Sequence, residues 1–138
     1  DKKNRYVGAK IRAGSFTSTD IELQSVEMDG SLTQTPEFPY NWMYDGSRPQ
    51  MPGFEMEITC KSLFLIFKDS GEMDVGKADV FVNDVYCMTA DPHKNNWLHC
   101  NAVLLFWETE SRSHKVRITV TEEDQNKKFT ILGFGYTI

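Results

Sequence analysis

The chain is poor in several things that would place it in a class. It has three cysteines, Cys60, Cys87 and Cys100, and an odd count excludes a complete disulfide framework. No CxxC or Cys/His spacing of a zinc site occurs. The longest apolar run, Ala102 to Trp107, falls far short of the roughly 20 residues that cross a bilayer. Basic residues are in deficit, 15 Lys and Arg against 20 Asp and Glu, for a net charge of -5. That balance argues against nucleic acid and anionic membrane as partners. No serine sits in a G-x-S-x-G elbow, and the three histidines are scattered: His93 and His99 in one loop, His114 at the start of a later strand. No stretch keeps a convincing helical period, and no repeat or low-complexity tract is present. There is no charged-then-apolar leader and the first residue is Asp1, so the chain reads as an excised module or a mature fragment.

What remains is β-patterned. The 138 residues suit one domain, 1–138, and that length buries a real core. Phe54 to Cys60 alternates strictly, as a half-buried strand does. Leu63 to Phe67 and Val103 to Trp107 are continuous apolar runs, as in strands covered on both faces. Tyr6 to Ala13 reads as a first strand. Lys77 to Val82 and Val85 to Met88 flank Asn83-Asp84, a hairpin turn. Glu108 to Ser113 reads as a turn, His114 to Thr121 alternates with Val116, Ile118 and Val120 inward, Glu122 to Lys128 is a charged turn, and Phe129 to Thr137 is the last strand. The expectation is an all-β fold, a β-sandwich (jelly roll) of about eight or nine antiparallel strands. Leu63, Leu65, Phe67, Val80, Val82, Leu105, Ile118 and Ile131 are its expected core, and Trp107 is read as core packing.

The stretch that stands apart runs from Phe38 to Pro49. It puts Tyr40, Trp42 and Tyr44 in five residues beside Asn41, Asp45 and Arg48, between prolines and with no regular period, and it reads as a shaped loop. A flat ring stacks on the C–H face of a sugar, and amides and carboxylates bond its hydroxyls. The competing reading is that Trp42 plugs one end of the sandwich, since Trp is highly buried on average. A second aromatic loop, Asp91 to Trp97, offers Asn95, Asn96 and Trp97; a Trp97 folded back on the core is the simpler reading of that loop alone. Glu55/Glu57 and Glu108/Glu110 are better explained as solvent-facing carboxylates than as a catalytic pair. Cys87 and Cys100 flank a loop and pair if the domain is secreted; buried free thiols are the alternative.

Several blocks carry a resemblance: Asn41-Trp42-Met43 with Asp45-Gly46-Ser47, Leu63 to Lys68, Gly76 to Val82, Asn95-Asn96-Trp97, and Phe129 to Thr137. Over roughly the last two thirds of its length, by pattern, the chain resembles the jelly-roll domains attached to SGNH-type carbohydrate esterases of gut and rumen bacteria. More broadly it is similar to the β-sandwich carbohydrate-binding modules of plant-cell-wall-degrading enzymes. The Gly-Asp-Ser nucleophile block of those esterases is absent, so the resemblance implies the accessory module. It also leaves a structural calcium open, near Asp69, Glu72 and Asp74, whose spacing does not match an EF-hand loop; the sequence itself indicates no cofactor and no metal residues.

The expectation is therefore a non-catalytic, extracellular polysaccharide-binding module, monomeric within a larger secreted hydrolase or esterase. Trp42, Trp97, Tyr40 and Tyr44 would form the sugar platform, with Asn41, Asp45, Asn95 and Asn96 as hydrogen-bonding partners. The alternatives are a structural jelly-roll domain of an SGNH esterase and a protein-interaction module that docks to a scaffold.

Overall fold

Alternation of apolar and polar residues decides most strands here, because a residue period of two puts one set of side chains on one face. A computed structural model describes residues 10–12 (backbone only), 41–48, 53–95 and 100–138. Among these residues lie seven strands: β1 (Lys10–Arg12), β2 (Trp42–Asp45), β3 (Phe54–Lys68), β4 (Ala78–Val82), β5 (Val85–Ala90), β6 (Cys100–Val120) and β7 (Lys128–Thr137). A single 3-10 turn, Glu122–Asp124, links β6 to β7. All strand pairs are antiparallel, in one sheet ordered β1-β7-β3-β6-β4-β5, with β2 also on β7.

The sheet folds over on itself. Phe134 in β7 is paired with Leu65 of β3, and Phe54 lies at the other end of β3. A straight strand would hold Phe54 and Leu65 roughly 36 Å apart. Instead the Phe54 and Phe134 rings are stacked 5.5 Å apart, so the two halves of β3 lie in opposite layers. The bend is at Lys61, where the register between β3 and β6 shifts. Phe54, Met56, Ile58 and Cys60 face the core before it, and Leu63, Leu65 and Phe67 face the same core after it. One extra residue thus changes the phase and keeps the apolar set inward while the strand turns.

This continuous sheet replaces the separate strands expected from the sequence. The two segments on either side of Lys61 are one strand, and so are Val103–Trp107 and His114–Val120. The polar stretch between the latter, Glu108 to Ser111, is an excursion of β6 that bulges between the pairs Ser62–Trp107 and Cys60–Arg112. Its charged residues resemble a turn because nothing covers them. Seven of the eight expected core residues are buried, and Val82 is half-buried at the end of an outer hairpin. Trp107 is a correction: it is 50% exposed. A second register shift, after Leu63, turns both Leu105 and Phe106 toward the core and sends Trp107 to the other face.

Local signals behave as the chemistry demands. Asn83 and Asp84 have φ of 52° and 65°, the left-handed pair of a type I′ hairpin. Asn83 also ties the hairpin to β6. Its Oδ1 accepts the Lys115 N–H, so its amide nitrogen donates to His114 Nδ1. The imidazole proton is therefore on Nε2, directed at Glu108. Residues 1–9, 13–40, 49–52 and 96–99 lie outside the described residues, and with them most of the first strand expected from Tyr6 to Ala13.

Candidate functional site

The aromatic stretch at Trp42 is a strand, not a loop. Trp42–Asp45 pairs with Ile131 to Lys128 of β7, a partner more than eighty residues away in sequence. Tyr44 is buried in the core, and its hydroxyl donates to the Gln125 carbonyl. Trp42 packs its edge on Phe54, ring centroids 5.5 Å apart. Asn41 is fully buried and Asp45 nearly so. The Ser47 hydroxyl and N–H both donate to Asp45 Oδ1, at 2.7 and 3.0 Å, and Arg48 approaches Oδ2 at 3.5 Å. These bonds, the Ser47 hydroxyl first, hold the Asp45 carboxyl below its ordinary value. The segment thus stitches β2 to the sheet, with Trp42 half-buried at its end. Tyr40, Asn96 and Trp97 lie outside the described residues.

Among the described residues a concave feature lies elsewhere, where two sheet edges approach. Strand β5 pairs with β4 alone, and the first half of β6 pairs with β3 alone. Between these edges opens a cleft of about 250 Å³. Phe67 forms its floor, with Met88 and Thr89 on one wall and Ala102 and Val103 on the other. Asp91, Lys94 and Asn95, from the loop after β5, and Asn101 complete it with polar groups. Asn95, one of the expected hydrogen-bonding residues, is thus at this cleft.

The polar groups are set by their own bonds. Asp91 Oδ1 accepts the His93 N–H at 2.9 Å, which closes the loop as an Asx turn and leaves Oδ2 as the acceptor it can offer. Asn101 donates its amide to Asp69 Oδ1 at 2.9 Å, so its side-chain oxygen is what it can offer. On the opposite wall the Thr89 hydroxyl donates to Asp79 at 2.6 Å and so accepts from the Tyr86 hydroxyl at 2.7 Å. That chain of bonds braces β5 and leaves Thr89 no proton for a ligand. Lys94 and Asp91 bring opposite charges to one rim, so the cleft suits an uncharged polyol better than an anion or a cation.

Chemistry of other kinds finds little support among the described residues. His93 Nε2 is 2.7 Å from the Val75 carbonyl, and His114 is held by Asn83 and Glu108; neither bonds a serine. No three His, Cys, Asp or Glu groups are placed to hold a metal ion among those residues. Burial pushes the Cys60 thiol up to about 11, with the Glu108 charge adding to it, and burial also raises Cys87 and Cys100. Cys87 Sγ lies 3.5 Å from the Leu105 carbonyl oxygen, and Cys100 is at the start of the same strand as Leu105, about 16 Å away by strand rise. A disulfide requires Cα atoms about 5.5 Å apart, so all three cysteines are free thiols. No helix among the described residues is long and apolar enough to cross a membrane.

No family model matches the chain, and no curated protein does. Solved structures share its fold. A family two carbohydrate esterase from Cellvibrio japonicus is similar over 94% of this chain and 30% of its own, at 13% identity and a TM-score of 0.52. A two-domain esterase active on acetylated mannans, co-crystallised with mannopentaose, aligns over 94% of this chain and 34% of its own, at 12% identity and a TM-score of 0.57. A further structure of a two-domain esterase active on acetylated mannans covers 99% of this chain and 34% of its own, at 13% identity and a TM-score of 0.51. The chain spans about a third of each of these proteins. At such identity the likeness is one of fold.

Proposed function

We propose that this domain is a non-catalytic glycan-binding module of a larger, secreted carbohydrate-active enzyme, and that the β5–β6 cleft is where it holds the sugar. The observation that carries the reading is the cleft itself: an apolar floor at Phe67, and Asp91, Asn95 and Asn101 with hydrogen-bonding atoms to spare around it. A sugar ring has apolar C–H faces and an equator of hydroxyls, and such a pocket complements both. The shared fold with carbohydrate esterases, over about a third of their length, supports a place beside a catalytic domain. A jelly-roll reading of the folded-over sheet goes with that proposal. The module works outside the cell as a monomeric part of its enzyme and keeps it near its substrate by raising local concentration.

The test is titration of the domain with soluble plant polysaccharides, acetylated mannan among them. Ala102 is exposed on the cleft wall, so Ala102→Trp fills the cleft without touching the core and should abolish binding. Asn101→Ala should weaken it about three- to tenfold, one hydrogen bond's net worth. Circular dichroism checks the fold. Binding by Ala102→Trp at the parent's affinity would place the site elsewhere, and turnover of nitrophenyl acetate lost on changing a particular Ser or His would overturn the non-catalytic reading. A second reading, a structural domain that shapes a neighbouring esterase, is favoured by Trp107 and Leu104, 50% and 36% exposed on one strand. If it holds, Trp107→Ser lowers the Tm of the full enzyme and leaves that of the isolated domain unchanged.

A further inference from the structure

The β5–β6 cleft borders an aromatic surface on the outside of the β4–β5 hairpin. Phe81 pairs with Tyr86 and Val80 with Met88, which leaves Cys87 as an extra residue in β5. This bulge turns Cys87 and Met88 toward the core. It leaves Tyr86 and Thr89 together on the outer face, beside Asp79. Thr89 also lines the cleft, so Tyr86 begins where that wall of the cleft ends.

Tyr86 is 55% exposed and yet fixed. Its hydroxyl donates to Thr89 Oγ1 at 2.7 Å, and Thr89 is held by Asp79. Phe81 meets it at 75°, with ring centroids 6.0 Å apart. Such an edge contact covers at most one face of the tyrosine. Its polar tip is already bonded, so what the side chain offers a ligand is an apolar ring face held in one orientation. The row continues across the sheet through Phe81 to Arg117 and Glu55, which are in register and share a face. The Arg117 guanidinium lies 4.1 Å from the Phe81 ring centroid. Among the described residues neither Arg117 nor Glu55 makes an ion pair or a side-chain hydrogen bond, so a set of N–H donors and a carboxylate stand side by side with capacity to spare. Glu57 and Lys115 are in register two residues further on, and the face holds both signs of charge together.

We propose that the glycan site continues from the cleft over β5 onto this outer face, with Tyr86 as a stacking subsite and Arg117 and Glu55 beyond it as hydrogen-bonding groups. The proposal rests on the cleft being the glycan site. Its ligand is an uncharged oligosaccharide chain, with one residue in the cleft and the following residues across β5. From Tyr86 to Glu55 the row crosses β5, β4, β6 and β3, about 14 Å at the spacing of neighbouring strands. The C–H face of a pyranose rests on the tyrosine ring. Its hydroxyls accept from Arg117 and donate to Glu55, and the mixed charge favours a neutral chain. A protein partner fits less well: beside Tyr86 the hairpin exposes Val85, too little apolar area for the roughly 800 Å² that each side of a stable protein interface buries.

The experiment titrates the domain and its Tyr86→Ala, Tyr86→Phe and Ala102→Trp variants with manno-, cello- and xylo-oligosaccharides, from the monosaccharide to the pentasaccharide, with circular dichroism as the check of fold. For whichever series binds, Kd should fall about tenfold or more from the shortest member to the longest, comparable to one base stacked on an aromatic ring. Tyr86→Ala should remove that gain and leave monosaccharide binding within about twofold of the parent. Tyr86→Phe keeps the ring and should retain most of the gain. In NMR spectra the protons of the stacked sugar should move upfield with the parent and with Tyr86→Phe, and not with Tyr86→Ala. No gain with chain length, or a gain that Tyr86→Ala preserves, overturns the outer subsite and leaves the cleft as the site when Ala102→Trp abolishes binding. Binding that survives Ala102→Trp, or no binding by any series, overturns both.

Discussion

Asp84 holds a left-handed φ of 65° in the hairpin between β4 and β5, with its side chain exposed. Glycine adopts that conformation without the Cβ clash and is the favoured second residue of a type I′ turn. Asp84→Gly should stabilise the domain by about 0.5 kcal/mol, or about 2 °C in Tm, measured by thermal unfolding. Asp45 gives the opposite kind of residue-scale effect. Its carboxyl is held below the ordinary 3.8 first by the Ser47 hydroxyl and then by the Ser47 N–H. A depressed carboxylate contributes stability that is present above its unfolded value and is lost as pH falls through its folded value. Asp45→Asn should therefore lower Tm at pH 7, and its Tm should fall less than the parent's between about pH 5 and pH 3. Asp124 adds to the same acid sensitivity. Burial alone would raise its carboxyl, but the Lys77 N–H, Lys127 and Thr121 together bring it below 3.8.

At the scale of elements, the joint between β2 and the β6–β7 connection is tight. The Gly46 N–H donates to the Lys127 carbonyl at 2.9 Å. A Cβ at Gly46 would lie 2.0 Å from the Gln125 carbonyl oxygen and 2.6 Å from Asn126 backbone atoms. Gly46→Ala must push β2 away from that connection, at a cost of about 1–3 kcal/mol, read as a lower denaturant midpoint. The Asn83–Asp84 turn was legible in the sequence because its signal is contained in two residues. Strand β2 was not: a proline-flanked aromatic segment has no period of its own, and it is a strand because β7 pairs with it. The excursion from Glu108 to Ser111 misled for a related reason, since polar residues bulging from a long strand have a turn's composition.

Across the whole molecule, one ring cluster joins the layers. Phe54 has no exposed surface and touches Trp42 from β2 and Phe134 from β7. Phe54→Ala should cost about 3–5 kcal/mol. In a domain whose whole stability is of the order of 5–15 kcal/mol, that leaves a large unfolded fraction at 37 °C, visible as lost cooperativity or an early transition in calorimetry. The cleft shares this origin. It lies where the folded-over sheet leaves two edges, that of β5 and that of the first half of β6, which approach each other at Cys87 and Leu105.

The sequence by itself determined the all-β class, seven of the eight residues it assigned to the core, and the hairpin turn, because period-two alternation and left-handed turn residues act over a few neighbouring positions. It also placed Asn95 in a polar loop. Only the tertiary structure decided the face of each segment beyond a bulge. One residue at Lys61 and one at Leu105 invert the phase, so Trp107 points outward while Leu63 continues inward. The same holds for the fate of the aromatics. Tyr44 is core and Tyr86 is 55% exposed, because β2 is laid against β7 and β5 is left at an edge. Where two edges approach is a matter of how far the sheet bends, a sum of small twists and bulges over long strands that no local pattern records.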